Sequence, residues 1–527
     1  MKYSNKTVPK SKPAVYDIDN TYSKYYPLII PALTIIYFVF SYFSNGFYQD
    51  DEVAHYINMR DFWTNPWIIM SNWGKPGWKI FLVIPSLGGY KFVLLVNSII
   101  SAVTAYFTIL LARQLKIKNT LLAGILFAFQ PLVLQLSFRS YAEIFTGLLL
   151  VMTLYFYFKK YYILSALLCG LSFTARQESA LLGIILAIFF LKERKFLPII
   201  FLVIFPLIMD LIGFLHTGDI IWAWTEMKNL SEFSLGIHRS FFHYFEVYIY
   251  IIGPVIFTLL IFGLMAPFIS KDDHKEFFSR EILIILFFFV VFLFQCYLVE
   301  KGTNPGSWRY LLQISPFTAI LALMGFNELL KTKNRKYILT ISAGIILLTL
   351  LIWSREATGL VIIDKSDYTN LIPVIIFFVI TAIFILLPQK IMFNQFITAV
   401  IILTIGFTFY TEKPKQQSPE NTAVDQIAEW YKDNSGKYNE VLYDHSLILF
   451  YADIFGPQKE KFKLLNMKSL EEAPKGTLII WDSHYSYRPE YKNDTKLEYL
   501  ENNPEYKPVN KFISSDKRFA AFIFEKN

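Results

Sequence analysis

Asp50, Asp51 and Glu52 stand side by side directly after an apolar run, and Val53, Ala54, His55 and Tyr56 follow them. A carboxylate at a membrane surface can take the proton of an attacking hydroxyl or amine, which is general-base chemistry. Asp50 occupies the place of an N-cap for a short interfacial helix running toward Trp63, where helix-end amides favour an ionised Asp51. Asp51 and His55, four residues apart, share a helix face, so an acid and an imidazole can converge on one site. A solvated helix start accounts for the same residues without chemistry.

Cations recur at comparable positions. Lys75, with Pro76, Gly77 and Trp78, lies among aromatics in the same loop, where it can hold a phosphate or snorkel to headgroups. Arg139 with Glu143, and Arg176 with Glu178, fall at tight connections between apolar runs, and Arg309 with Tyr310 opens a later run with Pro316 beyond it. Taken singly, each is an ion pair stapling two helices. Taken together, they gather on one membrane face at span ends, where ionisable groups are costly and usually functional. Asp210, inside another run, reads as a hydrogen-bonding group between helices.

The elements that must position these residues are membrane spans. The 527 residues are 54% hydrophobic, 18% aromatic and only 17% charged, which excludes an ordinary soluble protein. Runs near the roughly 20 residues that a span needs begin close to Tyr26, Tyr90, Thr120, Tyr141, Tyr161, Glu178, Phe196, Phe245, Ile282, Trp308, Tyr337, Leu371 and Ile391, predicting about 13 transmembrane helices. Lysine and arginine concentrate in alternate connectors: Arg113 to Lys118, Lys159 and Lys160, Lys192 to Lys195, Lys271 to Arg280, and Lys331 to Lys336. The positive-inside rule makes that side cytoplasmic. The net charge of +8 thereby reads as topology, not as nucleic-acid binding. Cys169 and Cys296 lie in apolar runs and read as core residues. Residues 1–26 form a cytoplasmic segment, 27–411 the spanning module with its first outer loop at 46–78, and 412–527 a soluble α/β domain on the outer side.

At these motifs the chain resembles the GT-C superfamily of membrane glycosyltransferases. Asp51 to Tyr56 looks like the acidic first-loop signature of protein O-mannosyltransferases and the lipid A aminoarabinose transferase. Lys75 and Pro76 look like its Lys-Pro-Pro element, with Gly77 in place of the second proline; Arg309, Tyr310, Leu311, Leu312 and Pro316 look like its later Arg-Tyr-Leu-Leu pattern. The resemblance implies transfer of a mannose-like hexose or a pentose from an undecaprenyl or dolichyl phosphate carrier to a lipid, glycan or protein acceptor, with inversion. Asp51 would be the base, with Asp50 and Glu52 beside it. Lys75, Arg139, Arg176 and Arg309 would hold the donor phosphate, and His55, Tyr56, Glu143 and Glu178 would line the site. No metal or other cofactor is required, although the acidic cluster offers ligands for a divalent ion. A bacterial inner membrane, with the site facing the periplasm, is the expected location. A transporter or flippase for lipid-linked sugars is the alternative.

Overall fold

The computed structural model describes residues 19–71, 73–232, 239–269, 281–330, 335–353, 355–357, 362–366, 371–387, 389–489 and 493–527. The connector at 271–280, residues 331–334 of the next one and residues 1–18 lie outside this set.

An apolar helix occupies each of the thirteen predicted runs. Five are long and apolar enough to cross a membrane unaided: Ser23–Phe43, Tyr90–Gln114, Leu197–Thr217, Ile282–Glu300 and Trp308–Leu329. A sixth pass, His243–Ile252 with Pro254–Met265, is bent by 118°. The bend falls at Gly253, whose φ of 83° lies in the left-handed region, and Pro254 cannot continue the hydrogen-bond ladder. Six runs carry shorter apolar helices. The last is shared by Leu121–Ala128 and Pro131–Leu136, interrupted ahead of Pro131. These helices make the chain an integral membrane protein.

Where a helix breaks at membrane depth its freed carbonyls need donors, because lipid offers none. The Tyr37 hydroxyl donates to the Ala128 carbonyl (3.1 Å) and Thr408 Oγ1 to that of Phe129 (2.6 Å). Glycine sets the closest helix contact. A Cβ on Gly263 would stand 1.8 Å from the Leu321 carbonyl oxygen, and one on Gly325 would stand 1.9 Å from that of Leu259. The helices Pro254–Ile269 and Ser315–Leu329 therefore pack backbone to backbone. Asp210 acts as expected: its Oδ1 accepts the Ala223 amide at 2.9 Å, joining Ile204–Thr217 to Trp222–Glu232.

After Thr411 the chain leaves the bundle. A linker is tied to the start of the first loop: Lys415 N donates to Ser44 Oγ (2.9 Å), Gly46 N to the Lys415 carbonyl (2.9 Å) and Gln417 N to Asn45 Oδ1 (3.1 Å). The helix Pro419–Asn434 then begins under a Ser418 cap. It covers a five-stranded sheet in the order Phe462–Leu464, Val441–Tyr443, Leu478–Asp482, Ala520–Lys526, Tyr506–Ile513. The first three strands are parallel, and the last two form an antiparallel hairpin. This sheet region sits on the same end of the bundle as the acidic loop, against the helix Asp51–Asp61: Tyr56 packs on Phe450 and Phe455, and Lys459 pairs with Asp61 at 2.7 Å.

Candidate active site

The acidic triplet opens the helix Asp51–Asp61, as its pattern predicts. Asp51 is the member that faces outward into a charged cluster. Its side chain is 39% exposed, and its Oδ2 meets Arg309 Nη2 at 2.5 Å. Arg309 lies in the turn Trp308–Ile314 that leads into Ser315–Leu329, with Pro316 in the first helical turn. Its guanidinium sits 4.6 Å over the Tyr141 ring, and its Nε lies 3.8 Å from Glu143 Oε1. Nε and Nη1 are buried without a hydrogen-bond partner.

Glu143 is fully buried between two arginines, 3.4 Å from Arg176 Nη1, and neither of its oxygens is hydrogen-bonded. Arg176 also reaches Glu178 Oε1 (3.1 Å) and lies 4.5 Å over the Tyr310 ring. Lys75 completes the cluster. Burial pushes its ammonium down to about 8, with Glu143 opposing the shift and Arg176 and Arg309 adding to it. No ion pair within 4.0 Å engages Lys75 among the described residues.

Gly77 explains how this lysine is placed. Lys75 adopts a left-handed backbone (φ 56°), the helix Pro76–Lys79 starts after it, and a Cβ on Gly77 would stand 1.9 Å from Thr174 Oγ1. The loop can therefore lie on the end of Tyr162–Ala175, next to Arg176, only with glycine there. A second proline would clash.

Several residues that the motifs group together are separated by the fold. Glu52 is buried and saturated: Oε2 accepts Arg139 Nη1 (2.9 Å) and the Tyr48 amide (3.1 Å), and Oε1 accepts the Tyr90 hydroxyl. Arg139 also donates to Gly46 O, Ser44 Oγ and Gln135 O. This pair fastens the loop to the bundle. Glu178 is similarly committed, accepting the amides of Gln295 (2.9 Å) and Gln313 (2.8 Å). Tyr56 turns into the contact with the sheet region and accepts from Arg60. His55 does not join Asp51: it is wedged between Trp73 and Trp78 with both ring nitrogens unpartnered, and burial with Lys79 and Lys75 nearby holds its pKa well below the ordinary value. Asp50 holds the cap position, but its backbone is right-handed helical (φ −61°, ψ −27°) and its carboxylate makes no cap bond. It accepts the Tyr485 hydroxyl from the sheet region at 2.5 Å instead.

No family model matches the chain, and no curated protein matches it. Solved structures do. The apo state of ArnT from Cupriavidus metallidurans aligns over 95% of this chain and 98% of its own at a TM-score of 0.59 and 12% identity. The same ArnT bound to undecaprenyl phosphate aligns over the same shares at 0.58 and 10%. The chain has the ArnT fold. At that identity the likeness is one of architecture, and it agrees with the GT-C-like helical bundle and small terminal sheet expected from the motifs. Within the ArnT fold, sequence reasoning gave no site role to Tyr485, Tyr141 or Tyr310. Tyr141 and Tyr310 adjoin arginine motifs, so a search for aromatic faces next to cations would have found them. Nothing local marks Tyr485, which meets Asp50 across 435 positions of sequence.

Proposed function

We propose that this protein is an integral membrane glycosyltransferase that moves a sugar, a mannose-like hexose or a pentose, from a polyprenyl phosphate carrier to an acceptor. One observation carries the reading: Asp51, whose side chain is 39% exposed, meets Arg309, whose buried Nε and Nη1 make no hydrogen bond, while Lys75 stands nearby with no ion pair among the described residues. A base beside cations of unspent hydrogen-bonding capacity suits a reaction in which a proton leaves one partner and an anion leaves the other. The ArnT structure solved with undecaprenyl phosphate supports the choice of carrier.

In the proposed step Asp51 accepts the proton of an acceptor hydroxyl or amine through Oδ1, since Oδ2 already engages Arg309. The freed lone pair attacks the anomeric carbon. The bond from that carbon to the carrier phosphate breaks, its electrons leave with the phosphate oxygen, and a single displacement inverts the configuration. Arg309 and Lys75 stabilise the departing phosphate, while Arg176 and Glu143 hold Arg309 in place. The buried, hydrogen-bonded pair Glu52 and Arg139 is assigned a structural role, as is Glu178. This step draws on side chains alone. The site and the sheet region are proposed to face the periplasm from a bacterial inner membrane.

The test is Asp51→Asn in proteoliposomes loaded with undecaprenyl phosphate sugars. Transfer is expected to fall by roughly two to four orders of magnitude, the usual contribution of a general base, with donor binding retained. Transfer at the wild-type rate would remove Asp51 from the chemistry. Loss confined to Asp50→Asn would move the base by one residue.

A further inference from the structure

Three ligand-type side chains outside the cluster above converge in the sheet region. Glu420 lies in the first turn of Pro419–Asn434, His445 follows the strand Val441–Tyr443, and His484 follows the strand Leu478–Asp482. Those strands are parallel neighbours, so both histidines sit at carboxyl ends on one edge of the sheet, where open α/β sheets collect ligands. Glu420 Oε1, His445 Nε2 and His484 Nδ1 all lie within 4.8 Å of one another. One carboxylate oxygen faces both imidazoles, at 3.1 Å and 2.5 Å.

We propose that Glu420, His445 and His484 form a binding site for a divalent transition-metal ion of the zinc type, built into the sheet region and distinct from the Asp51 cluster. Two imidazole nitrogens and one carboxylate oxygen are the ligand set that zinc takes when a fourth position stays open to water. Imidazole also selects against magnesium and calcium, which prefer all-oxygen shells. The three ligands come from three separate elements, so a bound ion would tie the helix start to both strand ends.

The location gives the ion a consequence. His484 stacks on Tyr485 (4.1 Å between ring centroids, 20° between planes), and Tyr485 is the residue that donates to Asp50 beside the proposed base. Asp482 orders the same turn by accepting the amides of His484 (2.9 Å) and Tyr485 (2.7 Å). An ion at His484 would therefore fix the turn through which the sheet region touches the acidic loop.

The test is metal binding by the purified full-length protein, chelator-stripped and free of any oligohistidine tag. Titration with Co2+ is expected to give a saturable visible absorption from about one equivalent in a four-coordinate site, bleached when Zn2+ is added. Magnesium should not compete. His484 is only partly buried, so His484→Ala is expected to stay folded and to lose the equivalent, as is Glu420→Gln. Absence of a saturable equivalent in the wild-type protein would overturn the proposal, leaving a hydrogen-bonded triad. An unchanged equivalent in folded His484→Ala would overturn it as well.

Discussion

At the residue scale the fold divides look-alike charges into two kinds. Arg309 keeps two buried nitrogens without a hydrogen bond, and no ion pair engages Lys75 among the described residues; Glu52, Arg139 and Glu178 are each held by several bonds to the bundle and the loop. This division predicts opposite phenotypes. Lys75 is cationic below about 8 and neutral above it. Affinity for an anionic carrier lipid is therefore expected to fall as pH rises through about 8, by roughly tenfold or more if one charge-assisted contact is lost. Lys75→Arg keeps its charge across that range, and calorimetric or fluorescence binding curves should then be flat with pH. Arg139→Ala should behave differently. Removing one partner of a buried ion pair leaves a carboxylate uncompensated, at a cost of about 3–5 kcal/mol. The expected result is a lowered unfolding temperature and reduced recovery of folded protein, instead of a selective loss of donor affinity.

At the element scale, the proposed chemistry depends on how closely the loop Trp73–Trp78 approaches the bundle. Gly77 permits that approach because Thr174 Oγ1 fills the space a side chain would need. Gly77→Ala is expected to push Lys75 out of the cluster and to lower transfer and donor affinity together, while the bundle itself stays folded. Thr174→Ala in the same chain removes the nearest clashing atom and should recover part of the loss. A double-mutant cycle on donor affinity measures that coupling, and a coupling near zero would detach Gly77 from the placement of Lys75. The interrupted run before Pro131 shows the same economy, with Tyr37 and Thr408 from distant helices supplying donors to the freed Ala128 and Phe129 carbonyls.

At the scale of the whole molecule, the sheet region and the acidic loop share one end of the bundle, joined by the linker at 415–417 bonded to residues 44–46, by Asp61 with Lys459 and by Tyr485 with Asp50. The opposite end carries Lys160, Arg194 and Lys195. Reporters fused after Lys195 are expected in the cytoplasm and one fused after Asn527 on the far side. A cytoplasmic signal at Asn527 would invert the orientation of the entire molecule, acidic loop included. These contacts also set what truncation should do. Removing the region after Glu412 would uncover Val53, Tyr56 and Ile57, so the helix bearing Asp51 is expected to lose its packing along with the domain.

The sequence by itself determined the class of molecule, the thirteen apolar helices, the terminal α/β region and the helix opening at Asp51, because those follow from local hydropathy and short-range periodicity. It also brought Arg176 and Glu143 into view as charged residues at span ends. It did not separate reserve from commitment. Whether Glu52 is free or saturated depends on Tyr90, Arg139 and the Tyr48 amide. Whether His55 meets Asp51 depends on two tryptophans that wedge it away. Tyr485 reaches Asp50 only because the whole bundle returns the last domain to the first loop. Hydropathy acts along the chain within a span, whereas the partners that spend or spare a charge come from anywhere in it, and only the tertiary structure decided them.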